Sequence, residues 1–312
     1  MIATDYLMKI IVFSYKKKWF KVFRITSFFR NIILKFKDPI IKFHINNKVL
    51  LMNLSHQLPI YTVQNQLYDT AISRIINAVK SDKILHIIDV GANVGDTAAS
   101  ILNTNPNVKI LCIEGNSFFS NLLKLNFIND NRVIIEESFC SDVTDDDKIS
   151  IDTKRGTASL NSNSSKIIEV SFYKLDDLFK KQKHLNTVDL IKVDTDGFDY
   201  KVLRGCHNLI HQFKPLVFFE LDKSFLSNNK EDVMSIFDFF KFYEYQAFLI
   251  YDNYGYLLGI YTFEQINVVE NIINYVDSKN MYIDILMVSD FNLGMDLFKS
   301  ESDSINSLLY NK

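Results

Sequence analysis

The sequence has few of the features that mark a secreted or membrane-spanning protein. It contains only three cysteines. Cys112, Cys140 and Cys206 form no even disulfide framework and no metal-binding spacing, which predicts a reducing, cytoplasmic environment. There is no uninterrupted run of about 18 apolar residues, so we expect no membrane-spanning helix. The apolar stretch at residues 10–13 is too short for the hydrophobic region of a signal peptide.

The sequence also lacks a clear signal for metal or nucleic acid. His207 and His211 have a zinc-like spacing, but no glutamate lies between them in the metalloprotease position, and we expect no metal site. No basic groove interleaved with aromatic residues is apparent, so we expect no nucleic-acid partner.

Positive charge is concentrated near the N terminus. The net charge is −2, yet residues 1–48 contain 11 of the 35 Lys and Arg residues and only two acidic residues, Asp5 and Asp38. On a helical wheel of residues 9–37, a polar stripe lies broadly opposite an apolar one. The polar stripe is Lys17, Lys21, Arg24, Asn31 and Lys35, and the apolar residues are Trp19, Val22, Phe29, Ile33 and Phe36.

Two interpretations of this N-terminal segment remain open. A basic amphipathic segment can lie on an anionic membrane surface, which would make the protein peripheral at the inner face of a membrane. Alternatively, it is an accessory helix that packs on the catalytic domain or on a partner subunit.

The most informative stretch is an apolar run that ends in a turn of small residues. Residues 87–90 are followed by Gly-Ala-Asn-Val-Gly at 91–95 and by a helix-compatible segment. A continuous apolar run is typical of a parallel strand buried on both faces. Gly91 and Gly95 let the backbone turn tightly and approach a ligand, while Asp89 can accept from a cationic group. The stretch therefore predicts a strand–turn–helix crevice.

An acidic residue at the end of the next predicted strand indicates a nucleoside ligand. Glu114 lies 19 residues after Gly95, the spacing at which a carboxylate accepts hydrogen bonds from both hydroxyls of an adenosine ribose. Asn93 stands where a dinucleotide-binding turn has the glycine that approaches the pyrophosphate. S-adenosylmethionine, which has no pyrophosphate, therefore fits better, and a nicotinamide-dependent oxidoreductase is disfavoured.

Strands and helices alternate along the chain, which predicts an α/β fold with a doubly wound, mostly parallel sheet and an N-terminal helical extension. Further strands are predicted at 133–136, 170–173, 188–194, 215–220, 246–251 and 283–288, and helices at 62–80, 118–128 and 231–242. The predicted organisation is an extension and linker at 1–60, a catalytic domain at 61–295 and a tail at 296–312. The polar segment 143–165 is either a surface loop or a substrate-facing flap.

Carboxylates follow several of the predicted strands, and we expect them to meet at one rim of the sheet. Asp89 and Glu114 are placed to hold the cofactor. The later carboxylates, which are left to meet the substrate, are Asp194, Asp196, Asp199 and Glu220. One of them could assist removal of a proton from an acceptor hydroxyl. The alternative role of Asp194 and Asp199 is helix capping.

Taken together, several short blocks carry a family resemblance. They are Asp-Val-Gly-Ala-Asn-Val-Gly at 89–95, Glu114, Ser-Asp at 141–142, Leu-Asp-Asp-Leu at 175–178, Ile-Lys-Val-Asp-x-Asp-Gly-x-Asp at 191–199, Val-Leu-x-Gly at 202–205 and Lys-Pro through Glu at 214–220. In this order they resemble the FkbM family of S-adenosylmethionine-dependent methyltransferases, over about residues 85–222. The resemblance implies a class I methyltransferase (Rossmann-like) fold and methylation of an oxygen, often on a sugar or polyketide.

The resemblance also implies a role for each matching residue. The methionine moiety of the cofactor would be held by Asp89, Gly91, Asn93 and Gly95. Glu114 would bind the ribose, Asp142 would lie on the adenine side, and Asp194 would face the transferring methyl group. The catalytic candidates are accordingly Asp194, Asp199 and Glu220.

Two departures from the family pattern concern the site. The family usually has Glu-Pro where this chain has Glu-Gly-Asn at 114–116, and Glu-Gly-x-Glu where it has Asp-Gly-Phe-Asp at 196–199. The charge is kept, but the later carboxylates are one methylene shorter. The resulting prediction is a cytoplasmic O-methyltransferase acting on a hydroxyl-bearing small molecule or glycan. The alternative is a non-catalytic Rossmann-like binding or scaffold protein at a membrane surface.

Overall fold

The computed structural model of the chain describes residues 2–45, 47–79, 82–154, 157–160, 167–183, 185–228 and 232–310. Its strands are β1 Ile40–Ile45, β2 Lys48–Asn53, β3 Leu85–Val90, β4 Val108–Ile113, β5 Val133–Glu136, β6 Phe139–Cys140, β7 Asp145–Lys154, β8 Thr157–Leu160, β9 Ile167–Tyr173, β10 Leu190–Val193, β11 Leu216–Leu221, β12 Ala247–Asp252, β13 Leu257–Tyr261 and β14 Ile283–Val288. Its helices are α1 Ile2–Lys16, α2 Phe20–Phe36, α3 Leu58–Gln64, α4 Ala71–Ala78, α5 Asp96–Thr104, α6 Ser117–Asn126, α7 Leu175–Lys181, α8 Asp199–Arg204, α9 His207–Phe213, α10 Lys223–Asn228, α11 Ser235–Phe242, α12 Ile266–Ser278 and α13 Phe291–Tyr310, with a 3₁₀ helix at Phe263–Gln265.

The central sheet has the order β13-β12-β14-β11-β10-β3-β4-β5. The five strands from β11 to β5 are parallel, whereas β14 runs antiparallel to both of its neighbours. After β3, the chain adds β4 and then β5 on one side of that strand. Later it adds β10 and β11 on the other side of β3. This arrangement confirms the predicted doubly wound, mostly parallel sheet, and it opens a crevice where the strand order reverses, between β3 and β10.

Both faces of the sheet are covered, which explains the continuous apolar runs in the sequence. Successive residues of a strand point to opposite faces. Ile87 accordingly belongs to one buried cluster, whereas Ile88 and Ile191 belong to the cluster on the other face. All three side chains are 0% exposed.

The N-terminal segment forms a helical hairpin, which we call the α1–α2 hairpin. A break at residues 17–19, where Lys18 has a φ of 58°, separates α1 from α2. Met8 and Ile11 of α1 are buried in the same core cluster as Ile87. One face of the hairpin therefore packs on the rest of the molecule, as one of the two interpretations expected.

Two other segments differ from the prediction. The helix expected at 62–80 is two helices, α3 and α4, separated by residues 65–70, and Lys80 lies outside the described residues. Within 143–165 the structure has β7 and β8, which form a small sheet with β6 and β9. Residues 155–156 and 161–165 of that segment are also outside the described part.

The strands and helices in the C-terminal part of the chain were only partly predicted. The last two predicted strands are confirmed as β12 and β14, but β13 and α12 were not foreseen. Helix α13 spans residues 291–310, so the predicted boundary at 296 falls inside it. Leu297 and Glu301 of α13 are each only 1% exposed.

Candidate functional site

The turn between β3 and α5 is held directly against the end of β10. Gly91 has a φ of +81°, and a Cβ atom built on it would lie 1.8 Å from the carbonyl oxygen of Asp194. A side chain at this position would therefore need the backbone to move. Gly95, with a φ of +87°, is similarly close to the ring of Phe127, at 2.3 Å. Asn93 between them also has a positive φ, 48°, a conformation that Asn tolerates better than most residues.

Glu114 ties the end of β4 to this turn. Its Oε2 accepts from the Asn93 N–H at 2.9 Å, and its Oε1 accepts from the Asn116 N–H at 2.7 Å. The side chain is buried, and burial raises its pKa to about 7, although the two backbone donors act in the opposite direction. Because each carboxylate oxygen has two lone pairs, Glu114 can still accept hydrogen bonds from a ligand's hydroxyls.

Lys192 is the buried cation of the site. It lies in β10, is 6% exposed, and its Nζ is 3.2 Å from Asp89 Oδ1 and 3.1 Å from Asp194 Oδ2. Burial favours the neutral amine, but Asp194 and Asp89 outweigh this effect and raise the pKa of Lys192 well above its ordinary value. Asp89 is itself fully buried, and burial raises its pKa against the opposing effect of Lys192. Such buried charges persist only when they are paired.

A cavity of about 520 Å³ opens at the carboxyl ends of β3, β10 and β11. This volume is in the usual range for small-molecule sites. The cavity is lined by His56, Gln57, Leu58, Tyr61, Tyr68, Asp69, Gly91, Asn93, Asp96, Thr97, Lys192, Asp194, Asp196, Glu220, Asp222, Phe225 and Tyr282. We call it the crevice.

A smaller cavity of about 70 Å³ shares part of the crevice wall. The shared residues are Gly91, Asn93, Asp194 and Asp196. Beyond them the small cavity is walled by Glu114 and by apolar side chains, which include Ile113, Phe119, Phe139 and Phe198. The small cavity therefore combines a carboxylate with an aromatic wall.

The structure brings most of the predicted site residues together. Gly91, Asn93, Asp194 and Glu220 line the crevice, and Glu114 lines the small cavity. Asp89 lies beneath the crevice and reaches it only through Lys192. Gly95 is the N-cap of α5, and a Cβ atom built on it would meet the side chains of Leu123 and Phe127.

Two further predicted residues, Asp142 and Asp199, also line neither cavity. Asp142 is 3.4 Å from Arg204 Nε and accepts from the hydroxyl of Ser141 at 3.1 Å. Asp199 accepts from the backbone N–H groups of Thr195 and Gly197 at 3.2 and 3.1 Å. Asp199 therefore holds the turn after β10, and its burial raises its pKa to about 6.

Several crevice residues were missed from the sequence. His56, Tyr61, Tyr68 and Asp69 come from the segment before β3, and Tyr282 immediately precedes β14. No local pattern signals their position, because only the folded chain brings them to the site. Lys192 did carry a signal, since a lysine inside the apolar strand Leu190–Val193 needs a buried partner.

Carboxyl groups dominate the crevice, and they lie close enough to raise one another's pKa values. Burial and Asp194 raise the pKa of Asp196 to about 7, and burial and Asp194 raise the pKa of Glu220 well above its ordinary value. Such a concentration of carboxylates attracts cations and accepts hydrogen bonds from hydroxyls, while it repels anions. Among the residues that the structure describes, no group of three or more His, Cys, Asp or Glu could hold a metal ion.

Comparisons with known proteins identify a family match. A family model described as the methyltransferase FkbM domain matches residues 89–258, from the end of β3 into β13. A search of curated proteins gives no match.

Solved structures are similar to this chain over part of their lengths. A methyltransferase FkbM from Methylobacillus flagellatus is 14% identical over 55% of this chain and 41% of its own length, with a TM-score of 0.38. A precorrin-6y C5,15-methyltransferase from Geobacter metallireducens is 11% identical over 69% of this chain and 86% of its own length, with a TM-score of 0.37. An O-methyltransferase from Bacillus cereus, solved with S-adenosylhomocysteine, is 11% identical over 70% of this chain and 78% of its own length, with a TM-score of 0.38.

Proposed function

This chain belongs to the FkbM methyltransferase family, and we propose that it uses S-adenosylmethionine to methylate a hydroxyl oxygen of a sugar, a glycan or another small molecule. The observation that carries the proposal is the crevice at the Gly91 turn. It combines a buried lysine–carboxylate cluster with a small aromatic cavity that contains Glu114.

The residues present fit the proposed cofactor. Glu114 keeps free lone pairs for the two ribose hydroxyls. Position 91 has no room for a side chain beside Asp194, so Gly91 presents only its backbone to a ligand. The carboxylates of the crevice suit the cationic sulfonium and the amino group of the methionine moiety. When bound, S-adenosylmethionine supplies an electrophilic methyl group on a good leaving group, so orientation of the acceptor provides most of the rate enhancement.

We propose Asp194 as the group that takes the proton from the acceptor hydroxyl. Its side chain is 46% exposed, so it is accessible from the crevice, and its Oδ2 lies 3.1 Å from Lys192 Nζ. Glu220 would orient the acceptor by hydrogen bonding, and burial and Asp194 raise the pKa of its carboxyl well above its ordinary value. Asp199 would act as a positioning residue, because it fixes the turn that carries Asp194 and Asp196.

The walls of the crevice favour a neutral polyol as the acceptor. Its carboxylates accept from hydroxyls but repel a phosphate or sulfate. Tyr61, Tyr68 and Tyr282 add flat apolar surfaces with hydroxyl groups at their edges. Sugar rings present both hydroxyls and apolar C–H faces, so they match both features.

Mass spectrometry of glycans and small metabolites from cells with and without the protein would test the proposal. We expect a product that is heavier by one CH₂ group only when the protein is present. Asp194→Asn should abolish this product while binding of S-adenosylhomocysteine persists. The control is Asp303→Asn, which changes an exposed carboxylate of α13 outside the crevice. Full product formation by Asp194→Asn would contradict the assigned role.

A further inference from the structure

The exposed surface of the α1–α2 hairpin includes many large apolar side chains. They are Tyr6, Ile10, Phe13, Trp19, Phe20, Val22, Ile25, Phe28, Phe29 and Phe36. Phe28 is 62% exposed, and Trp19, the only tryptophan of the chain, is 55% exposed. Single exposed apolar residues are ordinary, but a contiguous group marks an interaction surface. We call this group, with the cations described next, the hairpin face.

The exposed surface of the hairpin also carries positive charge, with few acids to neutralise it. The exposed cations are Lys9, Lys16, Lys17, Lys18, Lys21, Arg24, Lys35 and Lys37. None of them forms an ion pair within the described residues. The only acidic residue within the two helices is Asp5, whose Oδ1 accepts from the Lys42 N–H at 3.0 Å. The hairpin face therefore needs an anionic partner with an apolar interior.

The opposite side of the hairpin is fixed to the molecule. Met8 and Ile11 are buried in the core, and Arg30 of α2 is 4% exposed. Arg30 Nε donates to the carbonyl of Leu54 at 2.8 Å, and its Nη2 donates to the carbonyl of Ser55 at 2.7 Å. These contacts hold both helices on the rest of the molecule and leave the hairpin face exposed.

From these observations we propose that the hairpin face docks on the surface of an anionic lipid bilayer. Aromatic and aliphatic side chains beside lysines are typical of helices that lie in the membrane interface. Protein–protein interfaces, in contrast, are depleted in lysine. None of the described helices is long and apolar enough to cross a membrane, so the contact would be peripheral.

The position of the hairpin gives this docking a consequence for the crevice. A groove of about 500 Å³ beside α1 is lined by Lys9, Phe13 and Lys16 of the hairpin. Its far wall includes Tyr68 and Asp69, which also line the crevice. Docking of the hairpin face would therefore place this groove, and through it one wall of the crevice, near the bilayer.

Co-sedimentation of the full chain with lipid vesicles tests the proposal. We expect binding to vesicles of phosphatidylcholine mixed with phosphatidylglycerol, little binding to phosphatidylcholine alone, and weaker binding at high salt. Each near-surface Lys or Arg contributes about fivefold to the affinity, so Lys17→Glu/Lys21→Glu should weaken binding by about 30-fold or more. Point variants are used because deleting the hairpin would remove Met8, Ile11 and Arg30 from the core.

A matched pair of double variants separates the hairpin face from general surface effects. Lys21→Glu/Phe28→Ser changes a cation and an aromatic residue on the face. The control Lys241→Glu/Phe242→Ser makes the same changes on α11, where Phe242 is 78% exposed. We expect the first pair to lose vesicle binding and the control to retain it.

Three outcomes would overturn the proposal. They are failure of the wild type to bind anionic vesicles, equal binding by the two double variants, and self-association that only the hairpin variant abolishes. Titration with S-adenosylhomocysteine keeps this test separate from the proposed function, because the hairpin variants should bind that ligand like the wild type.

Discussion

Glu114 is the residue whose environment most directly predicts a measurable behaviour. Its carboxylate lies at the end of β4, and burial raises its pKa to about 7. The ionised form accepts hydrogen bonds with both oxygens, whereas protonation turns one oxygen into a donor. A ligand whose hydroxyls donate to Glu114 therefore favours the ionised form and competes with protons near neutral pH.

We expect affinity for S-adenosylhomocysteine to fall by about tenfold as the pH is lowered from about 8 to 6, since one pH unit below the pKa corresponds to a tenfold change. Calorimetric titration across this range would measure it. Glu114→Gln should bind more weakly and show no such dependence. Asp196 also has a pKa of about 7, so Asp196→Asn serves as the control and should keep the slope. An unchanged slope in Glu114→Gln would contradict the assignment.

At the residue scale, the sequence predicted which carboxylates lie near the site better than it predicted what each carboxylate contacts. Asp89 and Asp199 were both singled out as site residues. Asp89 is fully buried against Lys192, and Asp199 is bound to backbone N–H groups of its own turn. Spacing along the chain places a carboxylate at a strand end, but it does not tell whether the oxygens face a cavity or the backbone.

At the scale of elements, the break between α3 and α4 shows how a periodic pattern can mislead. Apolar residues at helical spacing, such as Leu67 and Ala71, predicted one helix at 62–80. In the structure, Asn65 is extended and Asp69 has a φ of +56°, so the chain turns between them. This turn brings Tyr68 and Asp69 to the crevice. Periodicity does not reveal such a turn, because tertiary contacts stabilise it.

Helix α13 gives a prediction at this scale. Arg74 of α4 and Glu301 of α13 form a buried ion pair, with Nη2 and Oε2 3.0 Å apart, and Arg74 Nη2 also donates to the carbonyl of Gly255 at 2.8 Å. Removing one partner leaves an uncompensated buried charge. We therefore expect Arg74→Met to lower the free energy of unfolding by about 3–5 kcal/mol, measured by urea denaturation.

Two comparisons make that prediction specific. The double variant Arg74→Met/Glu301→Leu removes both charges and should recover most of the lost stability. Arg132→Met removes the arginine of a more exposed pair with Asp130, and it should cost no more than about 1 kcal/mol. Equal losses in Arg74→Met and Arg132→Met would contradict the role given to the buried pair.

At the scale of the whole molecule, alternation of strands and helices predicted the sheet but not every strand direction. The five parallel strands could be predicted from the sequence, because buried apolar runs that lead into helices are typical of parallel strands. Strand β14 is just as apolar, yet it lies antiparallel between β11 and β12. Direction depends on the connection that precedes a strand, and neither β13 nor α12 was recognised in the sequence.

The arrangement of the N-terminal region was likewise only partly accessible from the sequence. The charge pattern indicated an amphipathic segment, and the structure shows that it is a hairpin with one face in the core. The groove that connects this hairpin to the crevice depends on long-range packing of α1 against β1 and α3. No local pattern indicates such a groove.

Calorimetric titration of the purified full chain with S-adenosylhomocysteine tests the central claim most directly. The account predicts saturable binding of one molecule per chain and no heat with NADH. Gly91→Ala, whose Cβ would meet the Asp194 carbonyl, should lose this binding. Gly294→Ala should keep it, because the nearest contact there is 3.2 Å away, at the flexible end of Ile260. A folded wild-type protein that gives no binding heat with S-adenosylhomocysteine would contradict the account.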